Sequence, residues 1–281
     1  MTIKEALSLL KDKLSDIDDG HIEARYILEK VSGISYSDML FKFSESISSE
    51  KFLMAETMAN RRLSGEPIQY ILGEWDFMDF KFKVGEGVLI PRPETEILVE
   101  CVLERIKDIA EPVVYDLCAG SGCIGLSIKK LRPDAKVYLV EKSENALKYL
   151  RKNAENLCSE LAGTTVIQGD ILNVEEFSDL PEADAIVSNP PYIRSDEIAS
   201  LQSEVLLEPH MALDGGTDGL VFYRCLVNDW SVKLKDKSFM AFECGEDQAE
   251  DICGLFNEIS FDNEIINDYN NIQRIVIGRR N

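Results

Sequence analysis

The sequence predicts an α/β protein: a mostly parallel, twisted sheet with helices on both faces, preceded by a small helical bundle and a linking β-hairpin. Three observations predict it. From Val113 onward, short apolar runs alternate with stretches of helical period, the pattern of successive strand–helix–strand units. A glycine-rich turn, Gly120-Ser121-Gly122, falls between the first such strand and the first such helix. Ahead of residue 75, apolar residues recur with a period near 3.6 instead.

A chain of 281 residues is long for one domain, and a large domain beside a small one is the easier expectation. The reading divides it into an N-terminal helical domain (1–74), a β-hairpin linker (75–92) and a larger α/β domain (93–281). The first helix carries Ile3, Ala6, Leu7, Leu10 and Leu14 on one face. A second runs from about Ile22 to Val31, with Ala24, Ile27 and Leu28 inward and Gly33 as its stop. A third surrounds Met39 and Leu40, and a fourth starts near Ser49 with Phe52, Leu53, Ala55, Met58, Ala59 and Leu63 inward. Such short helices bury their apolar stripes only by packing together.

From Trp75 the period becomes two. Phe80, Phe82 and Val84 alternate with charged residues, Gly85-Glu86-Gly87 reads as the turn, and Val88, Leu89 and Ile90 as the returning strand. Pro91 and Pro93 stiffen the next segment, and a helix from Glu94 points Ile97, Leu98 and Cys101 inward. The strands that follow are Val113–Leu117, Val137–Val140, Thr165–Gln168, Ala185–Val187, Phe239–Phe242, Glu264–Ile266 and Arg274–Ile277. The helices between them are Cys123–Lys130, one capped by Ser143 and running to Leu157, one from Asp218 to about Leu234, and Gln248–Ile259.

Composition narrows the function. Apolar residues make up 45 %, enough for a real core and unlike a disordered chain. No apolar run approaches bilayer length and the start lacks a signal-peptide stretch, so the chain reads as soluble and cytoplasmic. Seven scattered cysteines without a CxxC pair, and only His21 and His210, predict reduced thiols and no metal site. The formal charge is −21, and most of it lies beyond residue 75, where 21 basic residues face 38 acidic ones. That field repels a phosphate backbone at long range. Lys51, Arg61 and Arg62 form only a small basic cluster.

The first chemical signal is the run from Asp116 to Gly125 between the first strand and helix. Gly120 and Gly122 allow a tight turn with exposed amides, and the helix start beyond favours negative groups. No Gly-Lys-Ser/Thr closes it, so it is not a phosphate loop of that kind. Glu141 ends the second strand, 21 residues beyond Gly120, where an acid accepts hydrogen bonds from two ribose hydroxyls. Asp170, after the third strand, sits where an adenine amino group is within reach. To this point a dinucleotide and S-adenosylmethionine fit equally. The cofactor set comprises Asp116, Cys118, Ala119, Gly120, Ser121, Gly122 and Ile124 in the loop, then Glu141, Lys142, Asp170, Ile171 and Asn189.

The deciding signal is Asn189-Pro190-Pro191-Tyr192, just past the fourth strand. Ligand crevices in such sheets lie beyond the carboxyl ends of the strands. Asn189 offers a side-chain carbonyl acceptor, Pro190 a backbone carbonyl with no competing amide, and Tyr192 a flat ring. Two acceptors and a flat face match a planar nitrogen bearing two hydrogens. Such a nitrogen is a poor nucleophile, because its lone pair is delocalised. Holding both hydrogens aims and enriches the lone pair for attack on a sulfonium methyl. Asn189, Pro190 and Tyr192 are therefore the candidate catalytic residues.

At these residues the sequence resembles the protein-(glutamine-N5) methyltransferases that modify peptide chain release factors. The resemblance covers essentially the whole chain. It is carried by Gly65-Glu66-Pro67-Ile68-Gln69-Tyr70-Ile71-Leu72-Gly73, Leu89-Ile90-Pro91-Arg92-Pro93-Glu94-Thr95-Glu96, the glycine loop, Asn189-Pro190-Pro191-Tyr192-Ile193, Glu208-Pro209 and Gly215-Gly216-Thr217-Asp218-Gly219. It implies a Rossmann-like, class I S-adenosylmethionine-dependent methyltransferase domain of seven strands with an antiparallel last strand. It also implies an N-terminal helical domain that helps to grip the release factor. The implied substrate is the glutamine of the factor's Gly-Gly-Gln loop, bound by Asn189, Pro190, Pro191 and Tyr192 beside Arg92, Pro93 and Glu94. The implied partners are class 1 release factors, the product S-adenosylhomocysteine, and the chain a monomer without metal, membrane or direct nucleic-acid partner. Cys118 and Ala119 stand where many members have glycine and threonine, Glu141 replaces a commoner aspartate, and Asn270–Arg274 is looser than the usual pattern. The main alternative is N-methylation of an exocyclic amine of adenine or guanine, which also suits an Asn-Pro-Pro signature but needs a basic track and an exposed base. A non-enzymatic cofactor-fold protein and a nicotinamide dehydrogenase are the remaining alternatives.

Overall fold

The computed structural model describes residues 1–159 and 162–280. Two compact units divide it, Met1–Glu74 and Trp75–Asn281. The first holds five helices: α1 (Ile3–Lys13), α2 (Gly20–Ser32), α3 (Tyr36–Lys42), α4 (Ser49–Leu63) and α5 (Ile68–Leu72). Thr2 and Glu5 start α1 with reciprocal side-chain-to-amide bonds of 2.8 and 3.2 Å, and Ser35 and Ser48 cap α3 and α4. These caps satisfy amides that the first helical turn leaves unpaired. Ile3, Leu7, Leu10, Leu14, Ile27 and Leu28 form the core of the unit.

The fourth helix turns differently from the expectation. Ala55, Ala59 and Arg62 face inward, while Leu53 and Leu63 are exposed. The spacing i, i+4, i+7 places Arg62, not Leu63, over the inner face. Arg62 Nε donates to Glu23 at 2.6 Å inside the unit. Arg61 pairs with Glu66, and Lys51 Nζ donates to the Ser32 carbonyl. The basic cluster read from the sequence is thus engaged within the bundle. Helix α5 was not anticipated, since one turn is too short to show a period.

The hairpin is also shifted. Its strands are β1 (Glu74–Phe77) and β2 (Phe80–Lys83), joined by Met78 and Asp79 at φ 50° and 62°. Two consecutive left-handed residues make the tight turn that matches strand twist. Gly85-Glu86-Gly87 is not that turn, and Val88–Ile90 is not a strand. Those glycines serve close approach instead. A Cβ on Gly85 would lie 2.3 Å from the Tyr149 hydroxyl, and one on Gly87 2.7 Å from Asn145 Cβ.

Helix α6 (Pro93–Ile106) opens the alternating part. It is followed by β3 (Val113–Leu117), α7 (Cys123–Leu131), β4 (Lys136–Glu141), α8 (Glu144–Cys158), β5 (Thr164–Gln168) and β6 (Ala183–Ser188). Then come α9 (Val221–Cys225), β7 (Leu234–Glu243), α10 (Ala249–Glu258), β8 (Asp262–Asn267) and β9 (Gln273–Arg279). The seven-stranded sheet has the order β5-β4-β3-β6-β7-β9-β8. Strands β3 to β7 are parallel and β9 is antiparallel to both its neighbours. Along β3, Val114 packs into one apolar cluster, and Tyr115 and Leu117 into the one on the other face, as the strand period of two requires.

The helix expected over Asp218 to Leu234 is interrupted. Gly219, at φ 73°, cannot join a right-handed helix, so α9 starts at Val221. A π-helical turn over Leu226–Trp230 follows. It buries Trp230, whose Nε1 donates to the Ile171 carbonyl at 2.9 Å.

Candidate active site

Strand order reverses between β3 and β6, because the chain winds outward through β4 and β5 and then returns. Crevices open beyond the strand tips at such a reversal. Here a cavity of about 340 Å³ lies against the residues that follow β3, β4, β5 and β6, a size suited to a small molecule.

The glycine loop forms its floor. Cys118, Gly120 and Gly122 have φ of 64°, 56° and 83°. The left-handed Cys118 explains why glycine is the easier residue there. A Cβ on Gly122 would meet Leu150 and Leu126 at 2.4 and 2.8 Å, whereas one on Gly120 would meet nothing within 4 Å. Asn153 of α8 braces the loop, with Nδ2 donating to the carbonyls of Ser121 (2.9 Å) and Lys83 (3.0 Å), and Oδ1 accepting from the Lys83 amide. Burial raises the Cys118 thiol and pushes Cys123 up to about 12, so both stay protonated.

Glu141 Oε2 accepts from the Gly120 amide at 2.8 Å, and Oε1 from the Ser143 amide at 2.6 Å. A carboxylate has about four acceptor positions. Two remain, on a side chain that lines the cavity, which fits the diol of a ribose. Lys142 Nζ lies 2.7 Å from Asp170 Oδ2, and both line the same space. Asp170, read from the sequence as within reach of an adenine amino group, lines the cavity as one partner of this ion pair.

Asp116 lies beneath the loop rather than in the cavity. Its Oδ2 accepts from Gly125 at 2.8 Å and its Oδ1 has no partner. Burial pushes this carboxyl up to about 7, and that of Glu243 also to about 7. A raised carboxyl makes the native state hold more protons than the unfolded chain between roughly pH 4 and 7, so stability falls as pH rises through that window and then levels. Thermal unfolding is expected to show a lower Tm at pH 7.5 than at pH 5, with a shallower slope in Asp116→Asn. An unchanged slope in that variant refutes the assignment.

Asn189 follows β6 directly and lines the cavity. Its Nδ2 donates to Thr95 Oγ1 at 3.3 Å, and Thr95 Oγ1 donates to Glu243 Oε2 at 2.5 Å. The following backbone is held by Gln248, whose Nε2 donates to the carbonyls of Tyr192 (2.8 Å) and Gly219 (3.3 Å). Gly215 lies flat on the same segment. A Cβ there would sit 2.7 Å from Tyr192 Cα and 2.9 Å from the Pro191 carbonyl oxygen. Gly215→Ala is expected to shift this backbone, costing about 1–3 kcal/mol of stability and roughly tenfold or more in kcat. Steady-state kinetics beside thermal unfolding checks this, and parent values for both would contradict the packing described.

Of the residues singled out from sequence, Arg92, Cys118, Ala119, Gly120, Ser121, Ile124, Glu141, Lys142, Asp170, Ile171, Asn189 and Pro191 line the cavity. Asp116, Gly122, Pro190, Tyr192, Pro93 and Glu94 are not among its lining residues. Pro190 is buried, and Tyr192 packs against the apolar cluster built on Tyr223 and Phe242. Sequence reasoning did not assign roles to Thr95, Glu208, Gln248 or Glu243. Glu208 accepts from Arg92 Nη2 and, at 2.9 Å, from the Ile90 amide, tying the proline-rich segment to Glu208-Pro209. Both segments carry motifs of the family resemblance, which is the available sequence signal. His210 also lines the cavity, with Nδ1 3.9 Å from Asp214. Among the described residues, no group of three His, Cys, Asp or Glu side chains is arranged to hold a metal ion.

Comparison with known proteins agrees with this geometry. Residues 3–73 match the PrmC N-terminal domain family, and residues 93–226 the methyltransferase small domain family. The release factor glutamine methyltransferase of Geobacter sulfurreducens is 36 % identical over 282 residues, covering 99 % of this chain and 96 % of that protein. The protein of the same name from Thermodesulfovibrio yellowstonii is 40 % identical over 246 residues, 85 % of each chain. Among solved structures, the hMettl16 catalytic domain in complex with an RNA hairpin superposes with a TM-score of 0.57 at 13 % identity, over 90 % of this chain and 89 % of that one. At that identity the likeness concerns the fold alone. Identity of this extent across nearly the full length, on a site of this build, places the chain in the release factor glutamine methyltransferase family.

Proposed function

We propose that the chain transfers the methyl group of S-adenosylmethionine to the side-chain amide nitrogen of the glutamine in the Gly-Gly-Gln loop of class 1 peptide chain release factors. The observation that carries this is Asn189 at the tip of β6, opening on the same cavity as Glu141 and the glycine loop. Family membership supplies the substrate class.

S-adenosylmethionine supplies, when bound, a sulfonium methyl as the electrophile. Glu141 takes the ribose diol, Gly120 and its neighbours line the space beside it, and the Lys142–Asp170 pair borders the base. Asn189 Oδ1 and the Pro190 carbonyl accept the two N–H bonds of the glutamine amide. That holds its lone pair in line and stabilises positive charge developing on nitrogen. Tyr192 supports this segment, and Arg92, Pro93 and Glu94 shape its entrance. Residues 1–74 serve to grip the release factor, 75–92 link, and 93–281 carry the chemistry. Among the described residues no helix is long and apolar enough to cross a membrane. The substrate class favours a cytoplasmic location.

The test is to supply labelled S-adenosylmethionine with purified release factor, duplex DNA or ribosomal RNA in separate reactions, and to locate the label by mass spectrometry. Label on the loop glutamine is expected. Label on a nucleobase and none on glutamine overturns the reading.

A further inference from the structure

Asn189 serves as an acceptor only when its amide is turned the right way. The two ends of an asparagine amide are nearly the same size, one accepting and one donating. A reversed amide would set two N–H donors against the N–H bonds of an incoming primary amide.

What sets the turn lies outside the Asn-Pro-Pro-Tyr segment. Thr95 stands in the first turn of α6 and Glu243 ends β7, the strand beside β6. Both are buried, at 1 % and 2 % exposure. With Glu243 ionised, the chain Asn189 Nδ2 to Thr95 Oγ1 (3.3 Å) to Glu243 Oε2 (2.5 Å) has only one consistent direction. An ionised carboxylate accepts and cannot donate. The threonine hydroxyl has a single proton, and it goes to Glu243. Toward Asn189 the hydroxyl can then only accept, so it takes the NH2 end and leaves Oδ1 free. The Glu243 backbone is anchored in turn, its carbonyl accepting from the Tyr223 hydroxyl at 2.7 Å.

We propose that Thr95 and Glu243 are positioning residues that lock the Asn189 amide with its oxygen presented to the substrate nitrogen. Glu243 does not line the cavity, and Thr95, which does, acts in this role through the Asn189 amide. The inference rests on the reading of Asn189 given above.

The test uses full-length Thr95→Val, Thr95→Ser, Glu243→Gln and Asn189→Ala at pH 8.5, where Glu243, raised to about 7, is ionised. Valine keeps the shape of threonine without the hydroxyl. Serine keeps the hydroxyl without the methyl. Glutamine brings a donor that allows the relay to run backwards. Thr95→Val and Glu243→Gln are expected to lower kcat roughly tenfold or more, with S-adenosylmethionine affinity by calorimetry within about twofold of the parent. Thr95→Ser is expected to recover kcat to within about threefold. A parent-like kcat in Thr95→Val, equal impairment of Thr95→Ser and Thr95→Val, or a loss of cofactor affinity matching the loss of kcat each overturns the lock. If Asn189→Ala is impaired and Thr95→Val is not, only the lock fails. If Asn189→Ala itself keeps the parent kcat, the reading of the site fails with it.

Discussion

Asn189→Ala is expected to lower kcat by roughly 10²–10³, the loss typical of removing one preorganised polar contact to a charge that grows in the transition state. S-adenosylmethionine affinity is expected to stay within about threefold. The separation follows from position. Asn189 follows β6, while the glycine loop follows β3 and Glu141 ends β4, and no hydrogen bond joins Asn189 to either of them among the described residues. Removing the side chain deletes one acceptor for the substrate amide and leaves the bonds from Gly120 and Ser143 to Glu141 in place. Single-turnover kinetics with release factor, beside calorimetric titration of the cofactor, checks both halves. An equal loss in kcat and cofactor affinity would assign Asn189 to cofactor binding instead.

The second large effect is expected at Glu141. Its carboxylate holds the Gly120 and Ser143 amides and offers its remaining acceptor positions to the cavity. Glu141→Ala removes all of these at once. Hydrogen bonds to a charged group contribute about 1.5–3 kcal/mol each, so losing two to a ribose diol lowers S-adenosylmethionine affinity by about 100-fold or more. The loop at Gly120 also loses its anchor, which adds to the loss. Glu141→Asp keeps the charge and shortens the reach by one methylene, and is expected to fall within about tenfold of the parent. Equilibrium titration of the three proteins decides this. Parent-like affinity in the alanine variant would place the ribose elsewhere.

Much of the architecture was legible because the signals are local. The helix stop at Gly33, the serine cap at Ser143 and the alternation from Val113 onward depend on residues within a few positions of each other. The errors have local causes as well. Met78-Asp79 lacks the glycine that usually marks a left-handed turn, so the hairpin was displaced toward Gly85 and Gly87. The inner face of α4 was misjudged by one position because a buried arginine, paired with Glu23, does not look apolar.

By itself, the sequence determined the alternation of strands and helices from Val113 onward, the glycine loop, the acid at the tip of β4 and the Asn-Pro-Pro-Tyr segment, because short-range sterics and periodicity write those features into neighbouring residues. Only the tertiary structure decided that Thr95, Asn189 and Glu243, separated by 94 and 148 residues in their contacts, form one hydrogen-bonded line. It alone placed Gln248 and Gly215 under the same segment, gave Arg92 its partner in Glu208, and buried Asp116 below the loop it precedes. Donor and acceptor pairing across a sheet depends on which strands lie side by side, and that order is set by the packing of the whole domain rather than by the residues on either side.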